Sequence, residues 1–420
     1  MGNCVPQNKP NIWYVHPYAG GPGIGRYSRP YFLARQWVQA GANATVFTSA
    51  SHHLLDTPQA IGGRNISGVA YEFIDCRPYS GNGFGRLFNM AEFSAKLRLR
   101  ANRYEKKYGR PDMVIASSPH PYCFLATHSI ARQFGARSVF EVRDLWPLSL
   151  VELAGLSPEH PLTRFTAWME RRAYRNADYV VSLLPCTQEY MVEHGLSAKR
   201  WRYIPNGVHI DEASPGAGAA SPGLEQARQW RTQGKIVVAY TGALGQPNYV
   251  ESLIEAISTL HANGESTICA VIVGRGERQQ TLLQLVHDRG LQDRITIHDQ
   301  IAKRDVLALL QEVDIGYISL KPESLFRFGV SPNKLFDYML AALPILFAVR
   351  AGNDPVTEAA CGVSADPGNA TGIADGLMQL ARLGTEERRA AGERGRAYVL
   401  RQHTYDVLAS DYLTLCRYEE

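Results

Sequence analysis

Short apolar runs rich in Val, Ile and aromatics alternate with longer segments of helical period, and this alternation happens twice along the chain. It is the pattern of a parallel sheet covered by helices, because strands buried on both faces read as continuous apolar runs and need a helix to cross between them. In the first half the runs fall at residues 12–16, 44–48, 69–74, 113–116, 138–142 and 179–183, with 202–204 as a further candidate. They resume at 236–240, 268–273, 295–297, 315–318 and 344–348. A chain of 420 residues exceeds what one hydrophobic core usually serves. The expectation is two doubly wound α/β domains, residues 1–207 and 208–402. Residues 212–223 read EASPGAGAASPG, too small and too rich in Pro and Gly to fill a core, and read as a surface connection.

Hydrophobic residues at 45% and charged residues at 20% are globular values that exclude a mostly disordered chain. A formal charge of +4 does not by itself point to nucleic acid, and no such partner is expected. The seven cysteines are widely spaced and contain no CxxC pair, which disfavours a disulfide framework and a zinc site and suggests free thiols in a reducing compartment. Residues 1–10 lack the apolar stretch of a secretory leader, and no segment approaches the apolar length that spans a bilayer. A cytoplasmic location is the expectation, and the sequon at Asn65-Ile66-Ser67 carries no weight there.

Four segments carry candidate chemistry. Gly20-Gly21-Pro22-Gly23-Ile24-Gly25-Arg26 follows the first strand and precedes a helix expected at 27–40. Glycines there let backbone approach a ligand and aim amides at negative charge, although a tight turn alone would also use them. Its spacing is not GxGxxG. Glu141-Val142-Arg143-Asp144-Leu145-Trp146-Pro147 places Arg143 and Asp144 at the C-terminal end of a parallel strand, where open α/β folds bind ligands. A surface ion pair is the alternative. Tyr240-Thr241-Gly242-Ala243-Leu244-Gly245 opens the second half with another glycine loop, and Val273-Gly274-Arg275-Gly276-Glu277 adds a turn in which Arg275 could meet a phosphate.

The fourth segment is the most specific. In 326–339, Ser331 could cap a helix with Pro332 at its first position, which puts Asn333 and Lys334 in the first turn beside the positive helix end. A diphosphate suits that place. Asp337 lies three residues on, and its carboxylate could accept two hydrogen bonds from a ribose diol, or pair with Lys334 on the surface. Separately, residues 86–110 hold eight Lys or Arg against two Glu, a local charge of +6. Lys96, Arg100, Arg103 and Lys107 share one helical stripe beside Leu97, Ala101, Tyr104 and Tyr108, so a helix here could rest on an anionic membrane or be an ordinary solvated face.

With these residues in hand, nearly the whole chain resembles the family-four retaining glycosyltransferases of GT-B fold, in particular bacterial members that build surface polysaccharides. Pro332-Asn333-Lys334-Leu335-Phe336-Asp337-Tyr338 with Pro344-Ile345 resembles the family's donor-site helix, and Pro205-Asn206-Gly207-Val208 its crossing into the second domain. The resemblance implies an acceptor-side first domain, a donor-binding second domain and a helix in 403–420 that returns to the first. It places Gly21, Gly23, Gly25 and Arg26 at an interdomain cleft, Gly242 and Gly245 at the donor diphosphate, and Asp337 on the nucleotide ribose. Two positions depart from the family. Its first acidic residue falls on Gly329, and Arg143-Asp144 stands where many relatives carry His-Asp.

The resemblance implies transfer of a sugar from a nucleotide-diphosphate sugar to a glycan, expected to be linked to a polyprenyl diphosphate at the inner face of the plasma membrane. Retaining transfer needs stabilisation of a leaving diphosphate more than a strong nucleophile. Lys334 and helix ends supply that, with Arg275 the weaker candidate, Asp144 the candidate near the reacting centre and Arg143 beside it. No DxD-like pair stands at a strand end, so neither a metal nor a cofactor is expected. The rival readings are a nucleotide-sugar epimerase of the same architecture and a non-catalytic sugar-binding subunit.

Overall fold

The computed structural model describes residues 9–79, 81, 84–210 and 221–416. These divide into two compact units, one running up to Asn206 and resuming at Tyr405, the other Gly207–Thr404. The first unit is built on eight strands: β1 (Asn11–Val15), β2 (Asn43–Ser49), β3 (Gly62–Ile66), β4 (Val69–Ile74), β5 (Met113–Ser118), β6 (Arg137–Val142), β7 (Tyr179–Ser182) and β8 (Trp201–Tyr203). Their order is β3-β4-β2-β1-β5-β6-β7-β8, parallel except for the antiparallel β3–β4 edge. The second unit orders β9 (Ile236–Thr241), β10 (Ile268–Val273), β11 (Ile295–His298), β12 (Ile315–Ser319), β13 (Ile345–Ala348) and β14 (Gly362–Ser364) as β11-β10-β9-β12-β13-β14. Both sheets reverse strand order beside their first strand, the doubly wound arrangement that opens a crevice at the carboxyl ends.

The two strands that apolar runs did not reveal are both at sheet edges. In β3 the sequence Gly62-Gly63-Arg64-Asn65 is largely solvent-facing and only Ile66 is buried. It pairs because Ser67 and Gly68, at φ 44° and 90°, make the two-residue turn that suits a twisted hairpin. β14 has three residues and none is buried.

Other expectations shift. The first helix is Arg29–Gln39, not 27–40, with Ser28 preceding it and Arg29 drawn inward. The surface connection at 212–223 ends early. Ser221 caps the helix Pro222–Thr232 by accepting from the Leu224 amide, and Gly223 is buried against Val271, Val273 and His298. The remainder of that stretch, 212–220, lies outside the described residues. The basic region is two helices, Phe84–Leu99 and Ala101–Tyr108, broken at Arg100. Lys96 pairs with Glu92 and Asp75, and Lys107 pairs with Glu72, so half of the cationic stripe is already engaged with carboxylates. Leu97, Ala101 and Tyr104 are core. No helix among the described residues is long and apolar enough to cross a membrane.

A buried ion pair ties the first unit together. Glu141, on β6, accepts from the Tyr14 hydroxyl at 2.8 Å, the Ser117 hydroxyl at 2.5 Å, Arg29 at 3.2 Å and the Tyr412 hydroxyl. Burial alone would raise the Glu141 pKa, but Arg29 and the three hydroxyls outweigh it and hold it below the usual range. Arg29 also donates to the carbonyls of Ile204 and Pro205, where the chain leaves this unit. Tyr412 belongs to the helix Tyr405–Leu415, which lays Leu408, Tyr412 and Leu415 into the same core as Leu33 and Trp37. Trp37 Nε1 donates to the Ala409 carbonyl at 3.0 Å.

Removing one partner of a buried, hydrogen-bonded ion pair strands the other charge. Glu141→Gln is expected to lower unfolding free energy by about 3–5 kcal/mol in urea titration. A loss below about 1 kcal/mol, the value of a surface pair, would show that the pair does not organise this unit.

Candidate functional site

In the second unit the chemistry gathers where β9 and β10 end and the helix Asn333–Leu340 begins. The loops after β9 and β10 interlock through their backbones. Gly242 N–H donates to the Val273 carbonyl at 2.9 Å, Leu244 N–H to Arg275 at 3.0 Å, and Arg278 N–H to Leu244 at 2.9 Å. A Cβ on Gly274 would lie 1.8 Å from the Gly242 oxygen, so only glycine permits this approach. Gly242 itself has φ +147°, and a Cβ there would meet Lys334 Nζ at 3.2 Å. Gly245 precedes a short turn, Gln246–Asn248, whose first amide donates to Glu277 at 2.9 Å.

The helix begins at Asn333, with Pro332 in extended conformation ahead of it, one residue later than a Ser331 cap predicts. Lys334 is in the first turn, but it does not pair with Asp337. Its Nζ donates to the Tyr240 hydroxyl and to Asn248 Oδ1, each at 2.7 Å, and lies 4.3 Å from the Tyr240 ring centre. The Tyr240 hydroxyl in turn donates to the Ala243 carbonyl at 2.8 Å. Burial lowers the Lys334 pKa to about 7. An amine held by neutral oxygens in a desolvated place is a seat for an anion. Asp337 is instead partnered by Lys303, from the helix Lys303–Leu310. Arg275 and Asn333 are exposed at the same loop ends. Sequence reading missed Tyr240, Asn248 and Lys303, since neither sequence distance nor residue type links them to Lys334 or Asp337.

Gly329 has a backbone reason to be glycine. It ends the 3₁₀ turn Ser324–Phe328 at φ 96°, ψ 172°, a region that side chains rarely enter. The neighbouring Val330 is fixed by Asn353, which accepts its N–H at 2.7 Å and donates to its carbonyl at 3.1 Å. The backbone of the turn thus accounts for a glycine at the position where the resembled pattern has a carboxylate.

In the first unit, aromatic and ionisable groups gather at the carboxyl ends of β1, β5 and β6. The Arg143 guanidinium lies 3.9 Å over the Tyr27 ring, and its Nη1 is 3.4 Å from His16 Nε2. Tyr18 meets His120 at 3.2 Å between hydroxyl and Nε2, and His120 stacks on Tyr122 beside Trp146. Burial, then Arg143 and the neighbouring imidazoles, hold His16 well below its ordinary pKa, and burial with Arg86 brings His120 to about 3. Both are neutral at physiological pH. Asp144 reaches solvent, but the crowding around it raises its carboxyl, against the opposing pull of Arg143. His16, Tyr18 and His120 were not singled out from sequence, although each stands just past a strand end. The Gly20–Arg26 loop folds on itself: Gly21 pairs with Gly25, and the amides of Gly20, Ile24, Gly25 and Arg26 already meet carbonyls. Gly23 and Arg26 are exposed.

Comparison with known proteins follows the same division. A Glycosyl transferase 4-like domain model matches residues 23–207, and a Glycosyl transferases group 1 model matches 235–382. The chain is 25% identical over 286 residues to the putative colanic acid biosynthesis glycosyl transferase WcaI of Escherichia coli, a stretch covering 64% of this chain and 67% of that one. It is 24% identical over 245 residues, 57% of this chain and 62% of that one, to a GDP-mannose-dependent α-(1-6)-phosphatidylinositol monomannoside mannosyltransferase of Mycobacterium tuberculosis. In fold it is similar to sucrose-phosphate synthase of Thermosynechococcus elongatus, with TM-score 0.70, 17% identity and coverage of 97% and 98% of the two chains. HepE of Anabaena, solved with UDP-glucose, gives TM-score 0.61 at 17% identity and covers 96% of this chain and 99% of its own.

Gly329→Glu, which restores the carboxylate of the resembled pattern, is expected to cost about 1–3 kcal/mol of unfolding free energy, and Gly329→Ala about the same, because the strain lies in the backbone. Chemical denaturation of both variants checks this. A Glu variant as stable as the parent would refute the conformational account.

Proposed function

Because the chain belongs to the glycosyl transferases, with a 4-like domain followed by a group 1 domain, we propose that it moves a sugar from a nucleotide-diphosphate sugar to a lipid-linked glycan, with retention of configuration, in surface polysaccharide synthesis. The observation that carries this reading is Lys334, a desolvated amine held by two neutral oxygens against a glycine loop at a helix end. The relatives support the donor and acceptor classes: HepE is solved with UDP-glucose, one relative uses GDP-mannose on a phosphatidylinositol glycolipid, and WcaI is assigned to colanic acid.

In the proposed reaction the bond between the sugar's anomeric carbon and the diphosphate oxygen breaks, and a bond from the acceptor oxygen forms on the same face. The acceptor proton passes to the departing diphosphate. Lys334 and the first amides of the helix Asn333–Leu340 neutralise the charge that develops on that diphosphate, in the role a divalent cation fills elsewhere. Gly242 and Gly245 shape the loop beside it, and Asn333, with Arg275 more weakly, adds donors. Asp337, oriented by Lys303, takes the ribose diol. In the first unit Asp144 orients the sugar or acceptor hydroxyl, and Arg143, fixed on Tyr27, sets the local charge.

Purified protein is to be screened by thermal shift and diphosphate release against UDP-, GDP-, ADP- and dTDP-sugars, with and without EDTA. One nucleotide class should stabilise it, with slow release insensitive to EDTA. No nucleotide binding would favour a non-catalytic sugar-binding subunit, and conversion of the donor sugar without acceptor would favour an epimerase. Lys334 has its pKa near 7 in the free protein, and a bound diphosphate favours the ammonium. Donor affinity is therefore expected to be full below that pH and to fall as pH rises through it, the diphosphate remaining ionised throughout. Lys334→Ala should remove this pH dependence and lower turnover by about 10²-fold or more while the fold persists. Asp144→Asn should slow transfer with donor affinity kept. Unchanged rates in either variant would defeat the assigned role.

A further inference from the structure

The first unit carries an apolar groove of about 570 Å³ on a face that the donor chemistry does not use. It lies between the helices Phe84–Leu99, Phe124–Phe134 and Pro161–Asn176, and Leu87, Met90, Leu125, Leu162, Phe165 and Trp168 line it. Two of its lining residues are well exposed, Phe165 by 51% and Trp168 by 47%, and the first of these helices also carries Phe88 at 72% and Leu99 at 83% outside the lining. Soluble surfaces seldom leave so many large apolar side chains together without a partner.

The charge around the groove narrows what the partner can be. The three helices that form the groove together hold eight Lys or Arg against two Glu, a formal +6 in a chain whose total is +4, so the rest carries −2. Counting Asp75, which pairs Lys96, the balance is still +5. A second copy of this face would be repelled, and nucleic acid has no use for an apolar groove. Trp168 stacks with Phe165 and carries the Arg172 guanidinium over its ring at 5.6 Å, and Arg98 lines the groove itself. Aromatic rings topped by arginine suit the boundary between hydrocarbon and headgroup.

The groove is also continuous with the aromatic group beside Asp144. Tyr122 lines it, 5.9 Å from the Phe165 ring, and on its other side meets His120 at 4.8 Å and Trp146 at 6.2 Å.

We infer that this groove seats the hydrocarbon chain of an anionic lipid at a bilayer surface, with the lipid phosphate against Arg98 and Arg172. The occupant's class deepens the reading of a lipid-linked acceptor and rests on it, but the site can be tested without turnover. It also moves the membrane-facing surface from the stripe through Lys96 and Lys107, which is engaged with carboxylates, to the groove on the neighbouring helices.

The test uses the full chain with phosphatidylglycerol vesicles, phosphatidylcholine vesicles, and phosphatidylglycerol brominated on the acyl chain. The expected result is cosedimentation with phosphatidylglycerol at least tenfold stronger than with phosphatidylcholine, and quenching of tryptophan fluorescence by brominated chains that is lost in Trp168→Phe. The double variant F165S/W168S changes only half-exposed side chains and should lose at least tenfold in vesicle binding, with its UDP or GDP thermal shift unchanged. Absence of binding by the parent protein would overturn the proposal. So would binding that F165S/W168S leaves intact and bromine does not quench, since charge alone would then explain it. A concentration-dependent dimer that F165S/W168S abolishes, without vesicle binding, would assign the face to a second copy. Vesicle binding with no nucleotide shift would sink the transferase reading and leave the lipid site standing.

Discussion

The first unit depends on one carboxylate. Glu141 sits on a strand buried on both faces, where an unpaired charge would be prohibitively costly, and it is tolerated because Arg29 and three hydroxyls converge on it. The partners come from four separate elements of the unit: Tyr14 from β1, Ser117 from β5, Arg29 from the first helix and Tyr412 from the last. Arg29 extends the network to the carbonyls of Ile204 and Pro205. The places where the chain leaves this unit and where it returns are thus tied to the same buried charge, two residues from Arg143 and three from Asp144. Position of the candidate acceptor-side groups and integrity of the core have a common physical cause.

In the second unit backbone contact does comparable work. Two glycine loops interlock so closely that a side chain on Gly274 would collide with the Gly242 carbonyl. The tightness leaves Lys334 only neutral oxygens for company, and desolvation brings its amine near the point where it exchanges its proton at neutral pH. A cation in that condition gains charge when an anion arrives. On the proposed reading that anion is the donor diphosphate, and Lys334 takes up its proton as the diphosphate binds. Asp337, on the same helix, pairs with a different cation, Lys303, so Lys334 and Asp337 do not neutralise each other.

Much of this was legible before any coordinates. Apolar runs located all strands but β3 and β14, because interior parallel strands must be continuously apolar while edge strands need not be. Arg64 and Asn65 in β3 face solvent, and the hairpin is specified by Ser67 and Gly68 rather than by hydrophobic pattern. Lys334 in a first helical turn followed from Pro332. Its partners did not, since Tyr240 and Asn248 lie 94 and 86 residues away. The i,i+3 spacing of Lys334 and Asp337 suggested a pair that the fold declines, each finding a closer partner on another element. The partners of the basic stripe were equally out of reach of local pattern: Glu72 and Asp75, outside the helices, engage Lys107 and Lys96.

The sequence by itself determined the architecture and the chemical alphabet of the site: two doubly wound sheets, glycine loops at strand ends, a lysine and an aspartate on one short helix. These follow from local pattern, which each segment carries within itself. Only the tertiary structure decided which groups share charge and which are left without water. It buried Glu141 among hydroxyls, set Lys334 against Tyr240, gave Gly329 a backbone that disfavours any side chain, and opened an apolar groove beside Tyr122. Burial and pairing depend on distances between residues far apart in the chain, and those distances exist only once the sheets have closed.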